Sequence, residues 1–261
     1  MKTSSWGDHL VYFYASPTEK YSVLLSNLKI AFDRDCAALY IASGATTEQV
    51  HKELRDFGFS PDYLKSLTIA TSHQFYLSDG VFHADRAVKQ IRSLIDERAN
   101  QGFKGLYVSD DAADTFDTLL QDLTEWMHFA HSWGKTLSLP MAAICAYRRD
   151  QVLSNSGAML QLIQTHMGTI ITKTKKLIDN YTLCMDAITG EFYEVLGEEA
   201  TETIFSHVES TLKITRNQIP DNLDAFNKTL KQILGNAALP IQQRVVYNIQ
   251  RRIELDIYKA N

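Results

Sequence analysis

Residues 9–21 read HLVYFYASPTEKY. The run at 10–14 is apolar and aromatic throughout, the pattern of a strand covered on both faces. Ala15-Ser16-Pro17-Thr18 makes a short loop, and a long amphipathic helix follows. Strand, loop, helix is how an α/β sheet presents a ligand site, because ligands sit outside the carboxyl ends of the strands. A phosphate-binding loop at that place is Gly-rich and ends in Lys followed by Ser or Thr, so that backbone N–H groups cradle phosphate and a small hydroxyl holds magnesium. Here the loop has no glycine, Pro17 removes one donor, and Lys20 is followed by Tyr21. The position is that of a phosphate loop; the chemistry is not.

Moving outward, the same alternation repeats. In the helix over 18–33, Tyr21, Leu24, Leu25, Leu28 and Phe32 fall at spacings of three and four. Residues 36–42 (CAALYIA) form a second covered strand. Ser43-Gly44-Ala45-Thr46 is a turn, with Thr46 or Thr47 as N-cap of a helix that runs to Phe57 and stops at Gly58. Strands are expected at 67–70, 105–108 and 141–146, and helices at 84–100, 115–133 and 156–171. Asp79-Gly80 is a turn signal. Strands alternating with helices at this rhythm predict an α/β fold, a mainly parallel sheet covered by helices on both faces. After Thr172 the alternation stops. Helical periods over 201–212, 223–234 and 240–258 predict a small C-terminal all-α domain, giving an α/β domain at 1–182, a linker at 183–196 and a helical domain at 197–261.

Bulk properties narrow the function. The chain has 261 residues, 45% hydrophobic and 22% charged, ample for a packed core. A net charge of −5 argues against a protein that coats nucleic acid. Cys36, Cys145 and Cys184 are widely spaced, and Cys36 and Cys145 lie in or beside apolar runs, which reads as buried thiols in a reducing cytoplasm. The start, MKTSSWGDHL, lacks the apolar core of a signal peptide. No apolar run approaches the ~18 residues of a membrane span. A soluble cytoplasmic protein is expected, with no membrane partner.

Several phrases taken together carry a family resemblance. They are HLVYFYASPTEKYSVLLSNLKIAF (9–32), CAALYIASGATTEQVHKELRDFGF (36–59) and FYLSDGVFHADRAVKQIRSLIDERANQGFKGLYVSDDA (75–112), then Glu125-Trp126, AAICAYRRDQV (142–152) and LIQTHMGTII (162–171). In this collinear order, over roughly 8–171, the chain resembles the MEDS domain, a sensory domain of methanogens and of a methylotroph's dichloromethane regulator. The resemblance implies a RecA-like fold, close to the circadian-clock ATPases, without an intact phosphate loop. It also implies a signalling role with small hydrocarbon-derived ligands. The chain lacks the regulator's DNA-binding domain ahead of the sensor, which puts direct repression in doubt. VLGEEA (195–200) and NQIPDNLDAFNKTLKQILG (217–235) are similar to small helical output domains that follow such sensors in ammonia-oxidising archaea.

Strand ends nominate the ligand-binding residues: Tyr14, Ser16, Ser43, Ser72, His73, Asp110, Asp111, Tyr147 and Arg148. Asp110 and Asp111 stand where a metal-holding acid would, yet without a phosphate loop no nucleotide oxygen completes a magnesium shell, and capping of the next helix is the simpler reading. His128 and His131 are one turn apart but have no HExxH companion, so they read as packed or surface histidines. His166, near a helix end, suits the dipole or a last carbonyl. No G-x-S-x-G elbow exists, and neither Cys36 nor Cys145 has a base partner visible in the sequence. Lys173, Lys175 and Lys176 read as a solvated end. Between 197 and 261, eight Lys or Arg balance eight Asp or Glu, and Arg244, Arg251 and Arg252 are offset by Glu254 and Asp256.

The expected function is therefore a non-catalytic sensory protein, without metal or cofactor. It binds a small organic molecule or a protein signalling partner and relays the change through its helical tail. Val245, Ile249, Ile253 and Ile257 form one face of the last helix and suggest a homo-oligomer. Two alternatives stand beside this reading. One is a nucleotide-binding, ATPase-like enzyme with a rearranged loop; the other is a transcription-associated regulator whose C-terminal helices contact DNA, against which the neutral charge there argues.

Overall fold

A computed structural model describes residues 5–78, 80–116, 118, 139–171 and 176–258. The chain divides into two compact units, Met1–Leu177 and Ile178–Asn261. The first is built on a seven-stranded sheet of order β3-β2-β6-β7-β1-β8-β9. Its strands are β1 (His9–Tyr14), β2 (Ala37–Ala42), β3 (Leu67–Thr71), β6 (Leu106–Asp111), β7 (Met141–Arg148), β8 (Gly168–Ile171) and β9 (Lys176–Asp179), and a two-stranded ribbon pairs β4 (Leu77–Ser78) with β5 (Val81–Phe82). Every pairing from β3 across to β8 is parallel. All residues of β1, β2 and β6 are buried, as strands covered on both faces must be.

Helix α1 (Pro17–Asp33) follows β1 as the sequence predicts. Pro17 occupies its first turn, and the Ser16 hydroxyl caps it by accepting from Glu19 N at 3.3 Å. Its Leu24, Leu25 and Leu28 pack on one sheet face with Leu10, Tyr12, Tyr40, Tyr107 and Ile144. Asn27, fully buried, donates to Val108 O at 3.0 Å and to Ser109 Oγ at 3.1 Å, which pins α1 across β6. Helix α2 (Thr47–Asp56) starts in a capping box between Thr46 and Gln49. The chain then turns at Gly58, whose φ of +94° is left-handed territory that glycine occupies without strain. Next come α3 (Pro61–Lys65), α4 (Ser72–Tyr76), α5 (Ala84–Asn100), α6 (Arg149–Leu153) and α7 (Ser156–Thr165).

Three expectations need correction. The helix expected over 156–171 ends at Thr165, and the β-branched run Thr169-Ile170-Ile171 becomes β8, paired with β1. Strand β6 continues past Val108 through Ser109, Asp110 and Asp111, so neither acid caps a helix; both are fully buried inside the strand. Residues 183–196 are not a linker, because they belong to α8 (Asn180–Leu196), whose Ile188 and Phe192 are core residues of the second unit. The helix expected over 115–133, with His128 and His131, lies outside the described residues apart from 115, 116 and 118, as do Lys173 and Lys175.

The second unit is all-helical from α8 onward, with α9 (Glu198–Leu212), α10 (Leu223–Leu234) and α11 (Ala238–Tyr258). Phe192, Phe205 and Phe226 meet at its centre, with ring centroids 5.6 Å and 6.0 Å from Phe192. Ile249 and Ile253, two of the four residues on the face expected to mediate self-association, are buried within the unit. Arg244 pairs with Glu191 and Glu194, and Arg252 with Asp186. Most of the charge that a nucleic acid would need on this helix is thus neutralised within the unit.

Candidate functional site

The carboxyl ends of the parallel strands bring together residues that are far apart in sequence. Tyr14 closes β1 beside Arg148 on β7, and Asp111 closes β6 beside Ala146. Successive strand residues face opposite ways, so the two acids of β6 serve opposite faces of the sheet.

On the α1 face, Asp111 accepts from Tyr14 Oη at 3.1 Å and from Lys20 Nζ at 2.6 Å. The Lys20 side chain is 12% exposed and that of Asp111 2%. Lys20 also lies over the rings of Tyr21, at 4.6 Å, and Tyr14, at 5.7 Å. Helix α1 carries Lys20 one turn above the loop, and β6 carries Asp111 to meet it. Burial raises the Asp111 carboxyl above its ordinary value although Lys20 and Tyr14 pull it down. Burial and the neighbouring Asp111 raise the Tyr14 phenol. The lysine that a phosphate loop would offer to a nucleotide is engaged by the protein's own carboxylate.

On the other face Asp110 accepts from Tyr76 Oη at 2.6 Å. Its second oxygen, Oδ1, is buried without a hydrogen bond among the described residues. Burial pushes this carboxyl up to about 8, the Tyr76 hydroxyl partly offsetting it. At neutral pH Asp110 is therefore mostly a neutral acid. Its register partner is Cys145. His9 Nε2 lies 3.3 Å from Cys145 Sγ, and the His9 and His166 rings lie tilted against each other with centroids 4.0 Å apart. His166 Nδ1 is 2.6 Å from Leu162 O in the last turn of α7, the carbonyl contact its position suggested. Burial pushes His166 down to about 4 and the Cys145 thiol well up, the latter helped by Asp110. A thiol held protonated is a poor nucleophile, despite a histidine beside it.

The nine nominated residues divide into groups. Tyr14 and Asp111 share one cluster, and Ser72, buried, joins it through backbone: its hydroxyl is 3.1 Å from Ala42 O and 3.2 Å from Asp111 O. Asp110 and Tyr147 belong to the opposite face, where Tyr147 is buried edge-on to His166 at 6.3 Å. Ser43 Oγ accepts from Asp114 N at 2.8 Å and organises the neighbouring loop. Ser16 is the α1 cap, while His73 is exposed on α4 and Arg148 reaches out to Asp150. Reading the sequence missed Lys20 as a member of the site and Tyr76 and His9 altogether, and it took Cys145 for a buried thiol without a base partner. The missing base partner of Cys145 is His9, which lies 136 positions away.

Two clefts lie elsewhere. One, about 380 Å³, is lined by Phe32, Cys36, Tyr63 and Lys104 near the amino ends of the strands. The other, about 490 Å³, is lined by Glu191, Arg244, Tyr247 and Arg251 in the second unit. Their polar groups pair with one another, and the strand-end geometry is the stronger guide to function.

Among the described residues no helix is long and apolar enough to cross a membrane. A comparison with curated proteins gives no match. The model of the family described as MEDS, the methanogen/methylotroph, DcmR sensory domain, matches residues 8–167, more than half of the chain and five of the seven strands of the sheet just described. The chain belongs to the MEDS family of sensory domains.

Proposed function

We propose that the protein is a sensor without catalytic activity, whose α/β unit is a RecA-like domain turned from nucleotide to small-molecule binding. The observation that carries this reading is the buried Lys20–Asp111 pair at 2.6 Å. A triphosphate would have to displace a carboxylate already held by lysine and Tyr14, in a loop with no glycine to supply N–H donors. The raised Cys145 thiol further argues against nucleophilic chemistry. The accessible rim, with Ser16, Ser43, His73 and Arg148, would meet the ligand, while Tyr14, Ser72, Asp110, Asp111 and Tyr147 form the buried layer that responds. A small, hydrocarbon-derived organic compound fits a site whose charges are already cancelled. The all-helical unit after Ile178 is the relay, comparable to the output domains that follow such sensors in archaea. Paired arginines on α11 argue against DNA as its target, and buried free thiols favour a reducing cytoplasm.

Thermal unfolding against a ligand panel tests this. A compound binding only the folded chain at a hundred times its Kd adds about 2.7 kcal/mol. ATP with magnesium, flavins and nicotinamide cofactors should leave the transition unmoved, and a member of a C1 and hydrocarbon-derived series should raise it. A shift with ATP and magnesium would return the protein to the nucleotide-binding enzymes.

A further inference from the structure

We propose that His9, Cys145 and His166 form a buried site for a zinc-type divalent cation. The three come from separate segments: His9 opens β1, Cys145 lies within β7, and His166 links α7 to β8. Each is at most 4% exposed, and their ligand atoms all lie within 4.8 Å of one another. Donor atoms on a tetrahedral zinc with bonds of about 2.0–2.3 Å stand roughly 3.3–3.8 Å apart. The His9–Cys145 contact at 3.3 Å is at that separation already. The widest pair closes by about an ångström, within reach of side-chain rotation.

Details around the three residues fit ligation better than simple packing. The hydrogen bond from His166 Nδ1 to Leu162 O puts the proton on Nδ1 and the lone pair on Nε2. Fixing a ligand tautomer with a backbone carbonyl is the usual support of a metal-bound histidine. Two imidazoles and a sulfur select zinc-like ions over magnesium or calcium, which take oxygen. Asp110 on β6 is in register with Cys145 and stands beside the group. On binding, the Cys145 S–H bond gives way to an S–metal bond and the proton leaves to buffer. Three protein ligands leave one tetrahedral position for an exogenous small ligand.

The test uses the full chain, stripped with chelator and titrated with cobalt(II), then zinc(II). One equivalent of cobalt should bind and give thiolate-to-cobalt charge-transfer absorption, which zinc then bleaches. The band should vanish in Cys145→Ser and persist in Cys36→Ser and Cys184→Ser, and His9→Gln or His166→Gln should weaken cobalt binding more than tenfold. Absence of the band in the wild-type chain overturns the proposal, as does a band surviving in Cys145→Ser. If Cys145→Ser does not fold, loss of the band in Cys36→Ser or Cys184→Ser overturns it instead, since the thiolate would then lie elsewhere.

Discussion

Replacing Lys20 with methionine tests whether the protein's own carboxylate has taken the place of a phosphate. The substitution keeps most of the stem and removes the charge that faces Asp111. Breaking a buried ion pair by removing one partner costs about 3–5 kcal/mol, because the other charge stays behind unpaired. Lys20 is 12% exposed and Tyr14 still donates to Asp111, which places the expected loss at the lower end, about 3 kcal/mol at neutral pH. For a unit of this size that is a fall in Tm of about 6–12 °C. The loss must also depend on pH. Asp111 lies above its ordinary 3.8 when folded, so the folded chain holds its proton more tightly than the unfolded one. Stability therefore falls as pH climbs from 3.8 towards the folded value. Without Lys20 the folded value rises further, and the fall extends to higher pH. The gap between wild type and Lys20→Met should be small where the carboxyl is protonated in both states and full at neutrality. Urea unfolding at several pH values measures it. The double variant Lys20→Met/Asp111→Asn, with neither charge, should recover most of the loss. A cost below about 0.5 kcal/mol at neutral pH, typical of an exposed pair, would refute the reasoning, as would a cost independent of pH.

Two further substitutions probe the frame around the site. At Gly105 an added Cβ would run into the backbone carbonyl of Pro140 and the Trp6 ring, so Gly105→Ala should destabilise the sheet by about 1–3 kcal/mol in chemical unfolding, and a neutral result would mean that the β6–β7 start is looser than it looks. In the second unit, burial would raise the Glu191 carboxyl, but hydrogen bonds from Asn248 and Arg244 hold it below its ordinary 4.5. Its contribution is present above that value and lost as pH falls through the folded one, so Arg244→Ala should destabilise at neutral pH and progressively less in acid, below 4.5. Equal losses at both would show that Arg244 acts through packing.

The parts of the fold that were legible in the sequence are those set by local pattern. An all-apolar run, a proline and a 3.6-residue period are enough to read β1 and α1, and a threonine N-cap at 46 or 47 announces α2. Strand β6 was read as ending at Val108 because Ser109-Asp110-Asp111 looks like the polar start of a loop. What keeps those residues in a buried strand comes from far along the chain: Leu24 O for Ser109, Tyr76 for Asp110, Lys20 for Asp111. The strand β8 was hidden for a related reason. GTII is too short to show alternation, and it becomes a strand because β1 offers an edge. The His9, Cys145 and His166 cluster was out of reach for a single sequence, since it depends on strand order and register. Tyr14 and Asp111 were correctly placed near one another by the rule that ligands gather at strand ends, though the rule could not say that they would touch.

The loop sequence reveals only what is missing; the fold reveals what replaced it. A lysine kept one turn into the helix after β1 is easily taken for the remnant of a nucleotide site. Its position over Tyr21, with its ammonium on Asp111, makes it a closing element instead. That exchange bears on what the site can recognise. A phosphate needs several N–H donors and an unengaged cation, and the loop supplies neither. A charged ligand of either sign would have to break a 2.6 Å buried pair and leave one of its ions without compensation, a penalty of the same order, about 3–5 kcal/mol, as that expected for Lys20→Met. An uncharged compound incurs no such penalty. The electrostatics of the strand ends thus favour the class of ligand proposed above, a small and neutral compound.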